Sequence, residues 1–183
     1  MTGDRFGRER RLVFDTMVLN HFAIADRLDV LADLVAGRPC ATTTVVWEEL
    51  RVGAASRPEL AAVSQLEWLQ LVPLDRLEEV MRFAAWVRRL GTGGRDMGEA
   101  SVFAVAEMYG DIALTDDRDA TRVGRRYGLE VHGTIWLLAG ACRAGKLTEA
   151  NASTLIDMLR QTGHRLPCTG SEFPSFARRF NLL

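Results

Sequence analysis

Carboxylates in this chain gather beside apolar runs, where a cation can use them. Asp15 ends the run Leu12-Val13-Phe14, and Glu48 and Glu49 follow the threonine-rich stretch 42–44. Asp96 and Glu99 precede the apolar run 100–106, and Asp116, Asp117 and Asp119 follow Ile112-Ala113-Leu114-Thr115. A carboxylate next to an apolar strand is carried toward the interior, where its charge needs a cation, hydrogen bonds or a proton. The strand ends carry no matching set of lysines or arginines. A divalent metal is the simplest partner for several converging carboxylates, and it points to phosphodiester hydrolysis.

Each cluster also has an ordinary structural use. Asp15 serves equally well as the cap of a following helix. An aspartyl phosphatase would want a second Asp two residues on, and position 17 is Met. Glu48 and Glu49 are adjacent, so on a helix they point about 100° apart and only one faces a cleft. Asp96 and Glu99 have capping-box spacing; Asp96 is expected to cap while Glu99 faces the cleft. Three acids within 116–119 exceed what a turn or cap uses, and Asp117 ranks ahead of Asp116 as a ligand. Arg118, Arg122, Arg125 and Arg126 share much of one helix surface. Such a run is usually a solvated face, but beside an acidic cleft it suits a phosphate backbone.

The elements that must hold these residues alternate. Strands are expected at 12–14, 41–44, near 71–74, at 112–114 and at 129–131. Helices are expected at 18–35, 45–54, from Ser56 onward with Ser56 as cap, and at 76–90, 99–109, 118–127, 134–143 and 148–161, with a short terminal helix. In the helix at 76–90, Leu77, Val80, Met81, Ala84 and Val87 form the apolar face. Trp47, Trp68, Trp86 and Trp136 lie in apolar helical patterns and are expected in the core. Gly91-Thr92-Gly93-Gly94-Arg95 lacks a P-loop lysine and reads as a flexible turn. Strands alternating with helices predict an α/β fold with a parallel sheet covered on both faces, whose sites form at the carboxyl ends of the strands. Asp15 and Asp116-Asp117 both fall at that edge.

Composition narrows the class. The chain has 183 residues, 48% hydrophobic, with a formal net charge of -1. That suits one compact domain and excludes a polycation, so nucleic acid would be met by a local basic patch. Cys40, Cys142 and Cys168 follow neither disulfide-framework nor zinc spacing. The opening segment lacks a signal-peptide apolar core, no stretch is long enough to span a bilayer, and a cytoplasmic location is expected.

In order, these motifs resemble the PIN-domain family, most closely its toxin-type (VapC-like) ribonucleases. Phe14-Asp15-Thr16 is similar to the family's strand ending in Asp-Thr, and Glu49-Leu50-Arg51-Val52-Gly53 to its Glu-Leu-x-x-Gly. Glu99 opens an Ala-rich helix closed by Gly110, and Thr115-Asp116-Asp117 fits Thr-x-Asp. The third acid of the family is usually Asp; here it is Glu99, which keeps the carboxylate and lengthens its reach. Gly133-Thr134 and the apolar helix after it resemble a PIN subgroup that favours Gly-Glu at the third acid.

The resemblance implies a PIN-like three-layer α/β/α sandwich over 11–147, with a small helical C-terminal extension at 148–183. It implies a Mg²⁺- or Mn²⁺-dependent endoribonuclease acting on single-stranded RNA. Asp15, Glu49, Glu99 and Asp117 would be catalytic and would bind the metal with Asp116, while Arg118, Arg122 and Arg126 would guide RNA. An antitoxin partner and a homodimer are expected from the toxin-type relatives. The competing readings are a non-catalytic PIN-like scaffold acting through a protein partner, and a DNA-directed nuclease of the same family.

Overall fold

The computed structural model describes residues 9–91 and 96–183. The glycine-rich turn expected at 91–95 therefore lies outside the described residues except for Gly91 and carries no structural account.

Five short strands form one parallel sheet among the described residues: β1 (Leu12–Phe14), β2 (Cys40–Thr43), β3 (Leu69–Val72), β4 (Ile112–Leu114) and β5 (Val131–His132). Their order is β3-β2-β1-β4-β5. The chain thus adds strands outward on one side of β1 and then returns to its other side with β4. Such a reversal leaves a crevice at the carboxyl ends of the two central strands. Phe14 pairs with Leu114 at that point, and the Asp15 amide donates to the Leu114 carbonyl at 3.0 Å. Leu12, Val13, Phe14, Ala113 and Leu114 are wholly buried. Fully apolar strands are what a sheet covered on both faces requires.

Helices flank the sheet: α1 (Thr16–Ile24), α2 (Leu28–Val35), α3 (Thr44–Gly53), α4 (Leu77–Leu90), α5 (Met97–Tyr109), α6 (Arg118–Arg126), α7 (Thr134–Arg143), α8 (Glu149–Gln161) and α9 (Phe173–Arg179). This is the α/β three-layer sandwich expected from the alternation. α5 is the most deeply buried: Ala100 through Ala106 are all 0–1% exposed, so it reads as apolar on every side.

Several local expectations differ from the structure. The single helix expected over 18–35 is two, α1 and α2, because Asp26 takes a left-handed conformation with φ 53 between them. Asp tolerates that region better than most residues. The segment after Ser56 is a 3₁₀ helix, Pro58–Gln65, with Arg57 rather than Ser56 at its cap position. The apolar face expected on α4 is turned partly outward: Leu77 is 77% exposed and Met81 63%. α4 instead packs through Trp86, which meets Phe103 of α5 edge-on at 5.2 Å, while buried Glu79 bends back to accept from the amides of Asp75 and Arg76. Of the four tryptophans only Trp86 is wholly buried; Trp47, Trp68 and Trp136 are half-buried.

Candidate active site

Asp15 is the fixed point of the site. It follows β1 directly, is 0% exposed, and stands as cap of α1 with Oδ2 accepting from the Met17 amide at 3.3 Å. Thr115, at the end of β4, donates its hydroxyl to the same Oδ2 at 3.2 Å. The other oxygen, Oδ1, is buried with no hydrogen-bond partner. An acceptor held out of water without a donor costs about 1–3 kcal/mol. Burial, reinforced by Glu99 and Glu49, holds the Asp15 carboxyl well above the usual carboxylate range.

Glu49 arrives from α3. Thr43 ends β2 and caps α3, its Oγ1 accepting from the Val46 amide at 3.1 Å, so Glu49 lies in the second turn. Thr16 donates its hydroxyl to Glu49 Oε2. Glu48 points elsewhere, to Arg51 on the exposed face, as the 100° offset requires.

Gly98 marks where the acids meet. A Cβ there would lie 2.6 Å from Glu49 Oε2, 3.0 Å from Thr16 Oγ1 and 3.1 Å from Asp15 Oδ1. The two carboxylates thus close on one point of α5's first turn, and only a residue without a side chain fits between them. Glu99 follows directly. Burial, then the charges of Asp96, Glu49 and Asp117, pushes it up to about 7 from 4.5, against the pull of its own backbone amide. The expected capping by Asp96 is not formed, since its side chain makes no cap hydrogen bond; its backbone, φ -104 and ψ 51, departs from the extended conformation of the capping Asp15 and Thr43.

Asp116 and Asp117 divide their work. Asp117 caps α6, with Oδ1 accepting from the Ala120 amide at 2.7 Å. Asp116 has both oxygens engaged. Oδ1 accepts from the Thr134 amide at 2.8 Å, and Oδ2 from the Thr134 hydroxyl at 2.6 Å and from His164 Nε2 at 2.9 Å. Asp116 thus ties β4 to the start of α7 and to the segment after α8. Gly133 permits this, because a Cβ there would lie 2.3 Å from Asp116 Oδ1. His164 is buried, with Nδ1 lacking a partner, and its ring meets that of His21 edge-on at 4.0 Å. Burial and the neighbouring His164 push His21 down to about 4. Nothing local in the sequence foretold His164, which contacts Asp116 across 48 positions. Gly98 had a signal: it stands just before the third acid.

A cavity of about 560 Å³ opens beside these acids, lined by Met17, His21, Asp116, Asp117, Arg118 and Arg165 among others. Of the arginines expected to meet RNA, Arg118 borders it; Arg122 is on the exposed face of α6 and pairs with Asp119; Arg126 is exposed. Arg125 donates to the Val131 carbonyl through Nη2 at 2.7 Å.

The chemistry of the donor set fits a hard divalent cation: carboxylate oxygens only, one of them buried and without a donor, with Asp15, Glu99 and Asp117 at helix starts whose positive ends offset part of their charge. Among the described residues, no group of three or more His, Cys, Asp or Glu side chains is placed to hold a metal ion. The three cysteines are free thiols. No helix among the described residues is long and apolar enough to cross a membrane.

Comparison with known proteins agrees with this architecture. A chain of the DNA-bound VapBC structure from Salmonella typhimurium superposes with a TM-score of 0.51 at 18% identity, covering 68% of this chain and 98% of that one. A chain of VapBC2 from Rickettsia felis, bound to a promoter DNA fragment, gives 0.49 at 13%, covering 67% and 98%. PAE2754 from Pyrobaculum aerophilum gives 0.46 at 25%, covering 73% and 96%. The first of these likenesses concerns the fold. No curated protein matches the sequence. The family model described as "DUF3368: PIN domain" matches residues 11–170, past the end of α8. That span takes in every acid of the cleft together with His164, and the chain belongs to the PIN-domain family.

Proposed function

We propose that this protein is a divalent-metal-dependent endoribonuclease that hydrolyses single-stranded RNA, the toxin of a toxin-antitoxin pair. The observation that carries the reading is the unpartnered, fully buried Asp15 Oδ1 facing Glu49 across Gly98 in a member of the PIN-domain family. Asp15, Glu49, Glu99 and Asp117 would hold Mg²⁺ or Mn²⁺, and Asp116, whose oxygens are already taken, would position Asp117 and the wall of the cleft. When bound, such an ion lowers the pKa of water and offsets charge on the leaving oxygen. The chain's own residues do the rest. Thr115 and Thr16 fix the Asp15 and Glu49 carboxylates by donating to them. Arg118 at the cavity rim offers a cation to an incoming phosphate, with Arg122 and Arg126 farther along α6.

Residues 11–147 would form the nuclease domain. The extension at 148–183 contributes His164 and Arg165 to the cleft wall. A protein partner, an antitoxin or a second copy in a homodimer, is favoured by the solvent-facing Leu77, Val80 and Met81 of α4. The test is cleavage of a labelled single-stranded RNA by the purified chain with Mn²⁺, repeated with EDTA and with Asp15→Ala. Cleavage lost in both controls is expected. A native chain that cuts no RNA, yet binds a partner protein tightly, establishes the non-catalytic reading instead; cleavage of single-stranded DNA in preference to RNA establishes the DNA-directed one.

A further inference from the structure

A second concavity lies against the acidic cleft. It has a volume of about 420 Å³ and is lined by Arg118, Thr121 and Arg125 of α6, Trp136 of α7, and Phe176 and Phe180 at the carboxyl end of the chain. Asp116 and Arg118 border both this groove and the cleft cavity, so the two are continuous across one arginine. The volume lies within the range of sites that hold a small organic molecule.

Its walls are rings and cations. Trp136 is half-buried, with His132 stacked on it at 4.1 Å and 7° between planes and the Arg38 guanidinium over its ring at 5.5 Å, so it lends the groove its edge. Phe176 and Phe180 stand 4.7 Å apart, and Phe180 is 53% exposed. Arg125 is fixed by its bonds to the Val131 carbonyl, which leaves its charge in place. The acid in the lining, Asp116, has both oxygens already bonded. Exposed aromatic rings bordered by arginines, with Phe180 the most open of them, are the pairing that single-stranded nucleic acid uses: bases stack and phosphates meet arginine.

We propose that this groove seats one unpaired base of the RNA whose backbone crosses Arg118 into the acidic cleft. The inference rests on the ribonuclease reading for its substrate class. A peptide would bring backbone amides that need acceptors, and the acid in the lining, Asp116, has both oxygens taken.

The experiment is a fluorescence-anisotropy titration in EDTA, so that binding is read without cleavage. The probes are labelled single-stranded oligoribonucleotides with an abasic site moved along the strand. The native chain is compared with Phe180→Ala, an exposed change outside the catalytic machinery, and with Trp136→Leu; thermal melting verifies that each variant is folded. At one position, removing the base is expected to weaken native binding about tenfold and Phe180→Ala binding hardly at all, within the range for base-aromatic stacking. Equal losses in native and both variants at every position overturn the proposal, as does RNA binding indifferent to Phe180 and Trp136. A native chain that binds in this way but cuts nothing with Mn²⁺ refutes the ribonuclease reading and leaves the base site standing. One that cuts RNA with no base-dependent loss refutes the base site alone.

Discussion

Glu99 offers the sharpest test of the acidic cluster, because its charge is both buried and crowded. In the folded chain its carboxyl rises from 4.5 to about 7, chiefly by burial. At about 1.4 kcal/mol per tenfold, that difference is worth about 3 kcal/mol. The sign follows from linkage. The folded state holds a proton that the unfolded state has already released, so the contribution is fully present below pH 4.5 and is lost as pH rises through 7. Metal-free protein should therefore melt lower at pH 8 than at pH 5. For a domain of this size, about 3 kcal/mol corresponds to roughly 6–12 °C. Glu99→Gln removes the ionisation, so its melting temperature should fall much less over the same range; the slope it keeps is that of Asp15, shifted in the same direction. Adding Mn²⁺ at pH 8 should restore most of the loss to the native chain and less to Glu99→Gln. The assay is differential scanning calorimetry in EDTA and in Mn²⁺ at both pH values. Identical pH slopes for the two proteins would refute the claim that Glu99 is buried among like charges.

Asp15→Asn should raise the metal-free melting temperature and cancel most of the metal-induced shift, since like charges about 4 Å apart repel by roughly 4 kcal/mol at an effective dielectric of 20; equal metal shifts in native and mutant chains count against a site at Asp15. Gly98→Ala should abolish cleavage at a stability cost of about 1–3 kcal/mol. The new methyl meets Glu49 Oε2 at 2.6 Å, and the flexible glutamate gives way more cheaply than the fold does; kinetics and melting read the two effects separately. Asp116→Ala should cost about 1–3 kcal/mol by orphaning the Thr134 amide and buried His164, detectable as a lower urea midpoint. Neutralising Arg122 and Arg126 should weaken RNA binding and flatten its salt dependence by about 0.7 per lost phosphate contact; an unchanged slope in a salt titration would remove α6 from the RNA path.

The sequence by itself determined the class of fold and nominated the acids of the proposed site. Apolar runs of strand length alternating with helical periods leave a covered parallel sheet as the natural solution, and strand ends place Asp15 and Asp117 at its carboxyl edge. These are local consequences of pattern, visible without any long-range contact. Local pattern misled where a neighbour decides the outcome. Leu77, Val80 and Met81 have helical spacing, but spacing says that a face exists, not what covers it. Asp96 has the position of a cap but not the backbone angle. The reversal of strand order at β1, which brings Asp15 beside Thr115, depends on how the crossovers pack. Likewise, nothing near position 116 announces that His164 and Thr134 occupy both oxygens of Asp116, or that Gly98 is the gap between Asp15 and Glu49. Those contacts join residues far apart in the chain, and only the packed tertiary structure brings them together.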